Sequence, residues 1–342
     1  MSRTLVVGVD AGATTTRCVL ATLDGVVVGR GAAGGANQNS SGGELTETIG
    51  AALEGALPTT DRAAVRLGVL GAAGSAGAGR GVFRAAATRA WARAGLTGEI
   101  IAVTDLEVAF AAGTADPGGV LLLSGTGALA ARFAGGVPER RCDGYGWLLG
   151  DEGSAVWIGI RALRAVLAAL DGRGEPTALV GEACEWLTAE RPAGEPGALS
   201  RAEREGLAQT LLAAGFARPP AALGHFAPAV SALADAGDPV ARRIAEAAVA
   251  KLLHTFDTVG PPAGGAVVLA GSVLLSPGPV ARAVRSGVVA RTGAEPREAV
   301  DGAGGAAAMA VARLTGGPVP AAVHARLTGG ASAARDHEPS LE

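Results

Sequence analysis

Lysine is nearly absent from this sequence. Of its 29 basic residues only Lys251 is a lysine, and it follows an alanine. A Walker A loop requires a Gly-Lys-Ser/Thr step and a protein kinase requires a lysine on a strand, so both of these nucleotide-binding classes are excluded. The arginines are scattered among carboxylates, and the net charge of −3 with a pI near 5.9 argues against a nucleic-acid partner.

Cysteines and long apolar runs are scarce as well. The three cysteines, Cys18, Cys142 and Cys184, form neither a disulfide framework nor a zinc cluster, which is typical of a reducing compartment. No apolar run free of charges and turn residues reaches the length of a membrane span, and residues 4–10 are typical of a strand rather than of an export signal. We therefore expect a soluble, cytoplasmic protein without a membrane partner; a homodimer is compatible with the sequence.

What the chain has in excess is apolar residues and glycine. It contains 342 residues, of which 49% are hydrophobic and 54 are glycines. This length is typical of two domains, and the apolar share is ample for a sizeable core, so disorder is disfavoured.

A strand, a glycine turn and a second strand occur twice. The first such unit lies near residue 10, and a similar unit near residue 125 follows a turn cluster at residues 116–119. This recurrence predicts a duplicated α/β domain. The predicted boundaries are 1–118 for the first domain, completed by a helix near 302–315, 119–300 for a larger second domain with a helical insertion, and 329–342 for a polar tail.

The first glycine turn is a candidate phosphate site. It is no dinucleotide fingerprint, because a strand and not a helix follows Gly12. A tight turn between two strands directs backbone N–H groups and the hydroxyls of Thr14 and Thr15 at one point, which suits an anion. Asp10 ends the first strand and offers a carboxylate for Mg²⁺, usually through water. An ordinary glycine-rich hairpin is the alternative, but the second turn, residues 125–127, favours a pair of hairpins that hold nucleotide phosphates without lysine.

Asp105 is a candidate general base. It directly follows a predicted buried strand and precedes a helix. An Asp at that place is commonly a helix N-cap. In a phosphotransferase the same position can present a base to a hydroxyl nucleophile.

Residues 142–154 form the densest candidate ligand segment. They contain the only tyrosine, four glycines and the carboxylates of Asp143, Asp151 and Glu152. A core strand does not tolerate so many glycines and charges. Helix capping accounts for Asp151 or Glu152 but not for Asp143.

At this point the chain resembles the N-acetylglucosamine kinase group. Residues 7–16, 104–105, 124–127, 144–157 and 269–272 follow the order of motifs in that group, and Gly-Asp-Glu-Gly-Ser-Ala before Trp157 is the most specific of them. The group belongs to the sugar kinase/heat-shock ATPase/actin superfamily, with relatives among the activator ATPases of benzoyl-CoA reductases and dehydratases. The resemblance covers residues 4 to about 315. It implies an α/β fold of two ribonuclease H-like (actin-like ATPase) domains with a ligand cleft between them.

The resemblance also implies roles for individual residues. Asp105 is then the base that accepts the proton of the sugar 6-hydroxyl. ATP is the co-substrate, and Mg²⁺, held by Asp10 through water, is the cofactor. The sugar ligands are then Asn37, Asp105 and Asp151, to which the dense segment adds Asp143, Gly144 and Glu152. The ATP-binding residues are Gly12, Ala13, Thr14, Thr15, Gly125, Thr126, Gly127, Gly271 and Ser272.

Other functions remain open at this stage. The chain lacks the zinc motif of the related repressor–kinase sugar kinases and the iron–sulfur ligands of the activator ATPases. An activator or sensor ATPase that drives a partner is one alternative, and an N-acetylglucosamine kinase is another. A catalytically silent sugar-binding module is a third, which the presence of both Asp10 and Asp105 disfavours.

Asp143 decides which amino sugar we expect. In the usual pattern of the family a glycine precedes Gly-Tyr/Trp-Gly, whereas this chain has Asp143 there. A carboxylate in that space favours a protonated 2-amino group over a larger, neutral acetamido group. The sequence therefore predicts a D-glucosamine kinase that produces glucosamine 6-phosphate.

Overall fold

The computed structural model describes residues 4–12, 15–36, 44–57, 59, 61–72, 79–190, 199–261 and 264–329. Within these residues the strands are β1 (Leu5–Ala11), β2 (Thr15–Thr22), β3 (Val27–Gly34), β4 (Val65–Ala72), β5 (Glu99–Thr104), β6 (Gly119–Ser124), β7 (Ala128–Ala134), β8 (Val137–Asp143), β9 (Ala266–Ala270) and β10 (Arg297–Glu298). The α-helices are α1 (Leu45–Ala56), α2 (Gly79–Arg93), α3 (Asp105–Gly113), α4 (Ala155–Asp171), α5 (Leu179–Thr188), α6 (Arg201–Phe216), α7 (Ala227–Asp235), α8 (Pro239–Val259), α9 (Ser272–Leu275), α10 (Pro279–Thr292), α11 (Gly302–Thr315) and α12 (Ala321–Thr328).

The strands form two five-stranded sheets. The first has the order β3-β2-β1-β4-β5 and the second the order β10-β9-β6-β7-β8. In the first sheet β1 is antiparallel to β2 and parallel to β4, and β4 is parallel to β5. A glycine hairpin followed by parallel strands is the arrangement expected of a ribonuclease H-like domain, and the two-domain α/β fold class predicted from the sequence is confirmed.

The chain divides into two compact units. Unit 1 comprises Met1–Leu121, Arg132–Glu139 and Arg297–Glu342, and unit 2 comprises Leu122–Ala131 and Arg140–Pro296. Unit 1 is therefore discontinuous, because its last segment returns after the whole of unit 2.

Two apolar layers cover the first sheet of unit 1. Alternate side chains of β1 point to opposite faces, so Val7 joins one layer and Val6 the other. The first layer packs helices α1 and α2 through large residues such as Leu53 and Phe83, while the second packs α11 through alanines such as Ala307. The sheet is thus buried on both faces, as parallel strands require.

Close backbone approach explains why glycine and alanine face α11. A Cβ atom on Gly8 of β1 would lie 2.1 Å from the carbonyl oxygen of Ala303 and 2.3 Å from the amide nitrogen of Ala307. The missing side chain lets α11 lie directly on β1, and this contact brings the first turn of α11 beside the carboxyl end of the strand.

Helices dominate unit 2. Ser154 caps α4, its Oγ accepting a hydrogen bond from the amide of Trp157 at 3.1 Å. Gly159 allows α4 to approach the short 3₁₀ helix Pro220–Phe226, because a Cβ there would lie 2.0 Å from the carbonyl oxygen of Leu223. Among the described residues, no helix combines the length and apolar character that crossing a bilayer requires.

Candidate functional site

In unit 1, hydrogen bonds between backbone groups close the turn between β1 and β2. The amide of Gly12 donates to the carbonyl of Thr15 at 3.0 Å, and the amide of Ala36 donates to the carbonyl of Gly12 at 3.0 Å. Ala13 and Thr14, predicted to bind phosphate, lie outside the described residues. Gly12 and Thr15 therefore form the described flanks of the predicted phosphate turn.

Asp10 is a largely desolvated carboxyl near the end of β1, and part of its surface remains exposed. Burial raises its pKa to about 6; the positive charge of Arg17 lowers the pKa and the nearby carboxylate of Asp301 raises it. A Cβ atom on Gly302 would lie 2.1 Å from Oδ2 of Asp10, so the carboxylate sits against the start of α11.

These surroundings fit a hydrated magnesium ion. A largely desolvated carboxylate with a second carboxylate, that of Asp301, nearby is suited to a hard cation that keeps most of its waters. No group of three or more His, Cys, Asp or Glu side chains that could hold a metal occurs in the described part of the chain. The donor set thus suits Mg²⁺ held through water and offers no cage of protein ligands.

Asp105 begins α3, but it is not the cap of that helix. Thr104 is the N-cap: its hydroxyl accepts from the amide of Glu107 at 3.3 Å, and the Glu107 carboxylate accepts from the amide of Thr104 at 2.8 Å. The Asp105 carboxylate accepts from the amide of Leu106 at 3.0 Å. Since the capping box is complete without it, capping does not account for Asp105.

Asp10 and Asp105 lie at the same edge of the first sheet. Asp10 pairs with Gly71 of β4, and Gly71 pairs with Val103 of β5, two residues before Asp105. The three strands are parallel, so Asp10 near the end of β1 and Asp105 directly after β5 lie at the carboxyl ends of the two strands that flank β4, where ligands of open α/β sheets bind.

The second glycine turn belongs to unit 2 and is equally tight. The amide of Gly125 donates to the carbonyl of Gly127 at 2.9 Å. Gly271, with a left-handed φ of 88°, lies against it: a Cβ on Gly271 would be 2.3 Å from the carbonyl oxygen of Ser124. The predicted ATP-binding residues Gly125–Gly127, Gly271 and Ser272 are thus brought together.

Asp143 organises the loop that follows β8. Its Oδ1 accepts from the amides of Gly144 at 2.7 Å and Asp151 at 2.8 Å, and its Oδ2 accepts from the amide of Glu152 at 2.8 Å. Both oxygens of Asp143 are therefore directed into the loop, which the sequence alone did not predict. The guanidinium of Arg141 donates to the carbonyls of Asp143 and Gly144.

Asp151 lies beside the second glycine turn. It adopts a φ of 54°, and a Cβ on Gly127 would lie 2.9 Å from its Oδ2, so this carboxylate packs directly on the turn. Burial is the largest cause that raises its pKa, and repulsion from Asp143 raises it further, while hydrogen bonds from the amides of Gly146 and Ala128 lower it. Two predicted site segments, one for sugar and one for phosphate, thus meet here.

Glu152 forms an ion pair with Lys251 of α8 at 2.9 Å. Both side chains are about two-fifths exposed, so the pair contributes little to stability by itself. It does show that the only lysine of the chain contacts the predicted sugar loop, although the sequence assigned Lys251 no role.

The predicted site residues fall into two groups. Asp10, Gly12, Thr15 and Asp105 lie in unit 1, and the described others lie in unit 2. Asn37, predicted to bind sugar, lies outside the described residues. The sequence did not predict Asp301, which caps α11 and accepts a hydrogen bond from Arg30 at 2.7 Å. The pattern that could have indicated it is an Asp directly before a glycine-rich helix.

Comparison with known proteins finds a curated relative that is similar to part of this chain. A protein from Clostridium acetobutylicum named N-acetylmuramic acid/N-acetylglucosamine kinase is 34% identical over 196 residues, which are 53% of this chain and 60% of that relative. The similarity therefore spans about three-fifths of the length of that curated relative.

Solved structures share the fold. A protein from Chromobacterium violaceum, provisionally named N-acetylglucosamine kinase, matches with a TM-score of 0.69 and 23% identity over 90% of this chain and 99% of its own. A similarly named protein from Porphyromonas gingivalis matches with a TM-score of 0.58 and 19% identity over 86% of this chain and 93% of its own.

The profile of one family covers nearly the whole described chain and confirms the resemblance predicted from the motifs. The match extends over residues 7–310, from β1 into α11, and so includes both glycine turns, Asp105 and the loop after β8. The chain belongs to the BadF/BadG/BcrA/BcrD ATPase family.

Proposed function

We propose that this protein is an ATP-dependent sugar kinase that transfers the γ-phosphate of ATP to the 6-hydroxyl of an amino sugar, with D-glucosamine as the preferred substrate. The observation that carries the proposal is the pair of carboxyls at one edge of the first sheet, Asp10 and Asp105. Family membership supports the use of ATP, and the curated relative supports a hexosamine as acceptor.

Asp105 serves as the general base in this proposal. A carboxylate at the start of a helix, not needed for the cap, can accept the proton of a hydroxyl as the oxygen attacks the γ-phosphate. Phosphoryl transfer has a loose transition state, so the remaining work is positioning and charge neutralisation.

Asp10 and the glycine turns serve the nucleotide. Mg²⁺, when bound through water at Asp10, supplies the positive charge that neutralises the phosphates. We assign the phosphates to the two glycine turns, where the amides of Gly12 and Gly125 close the turns and other backbone donors of the turns would contact phosphate oxygens, a role that elsewhere falls to a P-loop. The single lysine is paired with Glu152 on the sugar loop and is not needed for phosphate.

The preference for glucosamine rests on the charge of the loop after β8. Asp143 and Asp151 place two carboxylates within one loop, joined by the hydrogen bond from the amide of Asp151 to Asp143. Since both oxygens of Asp143 already accept backbone donors, we assign the direct contact with the ammonium to Asp151 and a supporting charge to Asp143. A charge-assisted hydrogen bond of about 1.5–3 kcal/mol favours a protonated amine by roughly tenfold to a hundredfold.

N-acetylglucosamine is the second candidate substrate. The name of the curated relative favours it, and the ion pair between Glu152 and Lys251 removes one negative charge from the loop. An ATPase that hydrolyses ATP without sugar remains a third outcome of the experiment. In each case we propose small-molecule ligands, a cytoplasmic location and no nucleic-acid or membrane partner.

The test measures ADP release with Mg²⁺ and ATP in the presence of glucosamine, N-acetylglucosamine, glucose or no sugar. We expect sugar-dependent release with the highest kcat/KM for glucosamine, and a loss of that preference of about tenfold in Asp151→Asn, which removes the charge assigned to the ammonium contact. Release that is independent of sugar refutes the kinase. Equal efficiency on all three sugars refutes the glucosamine preference but leaves the kinase standing.

A further inference from the structure

We infer that Ser124 is a positioning residue that couples sugar binding to nucleotide binding within unit 2. This inference rests on the proposed function and names a residue that the proposed mechanism does not use. Ser124 ends β6, directly before the glycine turn, and its side chain is fully buried.

The side chain of Ser124 is tied to the sugar loop. Its hydroxyl donates to the carbonyl of Gly153 at 2.9 Å, two residues after Asp151. Gly153 has a left-handed φ of 86° and packs on α8, where a Cβ would lie 2.6 Å from the side chain of Leu252. The carbonyl that Ser124 holds therefore belongs to a segment with little freedom to shift on its own.

The backbone around Ser124 is tied to both nucleotide segments. The amide of Ala155 donates to the carbonyl of Gly125 at 2.8 Å, which joins the start of α4 to the glycine turn. The carbonyl of Ser124 lies against the Cα atom of Gly271. Three segments of the proposed site, one for sugar and two for nucleotide, thus contact a single buried residue or its neighbour.

A shift of one segment must displace the others. The Asp151 carboxylate packs directly on Gly127 of the turn, so a movement of Asp151 toward a sugar changes this contact. A ligand that fixes either segment also orders the other, and the second ligand then binds a segment that is already in place. Ser124 provides the side-chain part of this connection, and the Asp143 carboxylate holds the far side of the loop.

The experiment measures a coupling factor by calorimetry. The Kd of AMP-PNP with Mg²⁺ is determined with and without a saturating hexosamine, namely the sugar that the ADP-release assay identifies. For the wild type we expect the sugar to tighten AMP-PNP binding at least about fivefold, and AMP-PNP to tighten sugar binding by the same factor. For Ser124→Ala we expect a coupling factor below about twofold. The Kd of each ligand measured alone should change by less than the wild-type coupling factor.

Two further variants keep the test decisive. Thr177→Val removes another buried hydroxyl of unit 2, one that donates to Asp238 at 2.9 Å outside the site, and should keep the wild-type factor. Ser124→Cys retains a weak donor in the same space and should give an intermediate factor; it carries the test if the alanine variant does not fold.

The outcomes separate the inference from the proposed function. A wild-type coupling factor in Ser124→Ala or Ser124→Cys overturns the inference. So does a factor of one in a wild-type enzyme that still phosphorylates the sugar, and the proposed function then stands. Absence of any sugar-dependent phosphorylation refutes the proposed function, and the inference with it.

Discussion

Two carboxyls at one sheet edge occupy different environments, and each environment suits a different task. Asp105 begins a helix whose capping box is formed by Thr104 and Glu107, so helix capping does not account for its carboxylate. Asp10 is buried against the first turn of α11, where desolvation raises its pKa to about 6. The charge of a bound cation can offset the cost of desolvating this carboxylate.

Asp105→Asn tests the general base. The amide keeps the shape of the side chain and its oxygen can still accept from the amide of Leu106, so sugar binding should persist. Because the amide cannot take a proton, we expect kcat to fall by about 10²–10⁴. Steady-state kinetics with a parallel sugar-binding titration checks this, and Asp235→Asn, an ion-paired carboxylate of unit 2, is the control. Near-normal turnover of Asp105→Asn would remove Asp105 from the mechanism.

Asp10→Asn tests the buried carboxyl through stability. The pKa of Asp10 is raised in the folded state, from 3.8 to about 6. The free energy of unfolding therefore falls as the pH rises through this interval, because the unfolded chain ionises this group more readily than the folded protein does. The full cost, roughly 3 kcal/mol, is present above pH 6 and is largely absent below pH 4. Without nucleotide and Mg²⁺, we therefore expect Asp10→Asn to be more stable than the wild type at pH 7.5, with a smaller gain at pH 4.5.

Urea unfolding at the two pH values measures this difference. Glu54→Gln, an exposed carboxylate on α1 of the same unit, should show no comparable change between the two pH values. A gain that does not depend on pH, or a loss of stability at pH 7.5, would contradict the buried, desolvated state of Asp10.

At the scale of elements, the contact between α11 and β1 depends on the absence of side chains. The helix packs alanines and glycines on the sheet, and Gly8 lies directly beneath it. This close packing places the start of α11, including Gly302 and the capping Asp301, beside Asp10. The position of one helix therefore determines the electrostatic environment of the proposed magnesium site.

Gly8→Ala should displace α11 and destabilise unit 1. Its Cβ would meet backbone atoms at 2.1 Å and 2.3 Å, which cannot rotate away, so we expect a loss of about 1–3 kcal/mol or more. Gly181→Ala in α5, where no atom lies within 4 Å of the added Cβ, is the matched control and should be neutral or stabilising. Thermal unfolding compares the two; equal melting temperatures would mean that α11 does not lie so close to β1.

At the scale of the whole molecule, unit 1 combines a long segment from the start of the chain with the short segment Arg132–Glu139 and a segment that follows unit 2. Its second apolar layer combines strand residues such as Val6 and Val69 with α11 residues such as Ala306 and Val311. His324 of α12 adds a hydrogen bond to the carbonyl of Ala111 in α3 at 2.7 Å. Unit 1 therefore cannot be complete until the segment after unit 2 has been added.

In a chain that ends at residue 296, unit 1 should consequently fail to fold. Loss of α11 exposes one face of the first sheet, and we expect aggregation or loss of the cooperative transition. A chain that ends at residue 329 retains every described residue and is the control. Circular dichroism and size-exclusion chromatography distinguish the outcomes, and a monomeric, cooperatively folded 1–296 chain would contradict the role of α11.

The sequence by itself determined the local features. Apolar runs separated by glycine turns predicted β1, β2, β6 and β7 close to their observed bounds, because strand and turn preferences depend on neighbouring residues. The same local motifs carried the resemblance to the family, which the profile match confirms. The capping box of Thr104 and Glu107 was also readable, although the sequence analysis assigned the possible cap to Asp105.

Tertiary structure decided what depends on distant residues. Strand β8 carries a proline and charged residues, so its pattern did not predict a strand; it forms at the edge of the second sheet, where such residues are common. The pairing of Glu152 with Lys251 and the closeness of Asp10 to Gly302 join residues that are far apart in the chain. Only strand order and helix packing bring such groups together, because contacts between distant residues leave no regular spacing in the sequence.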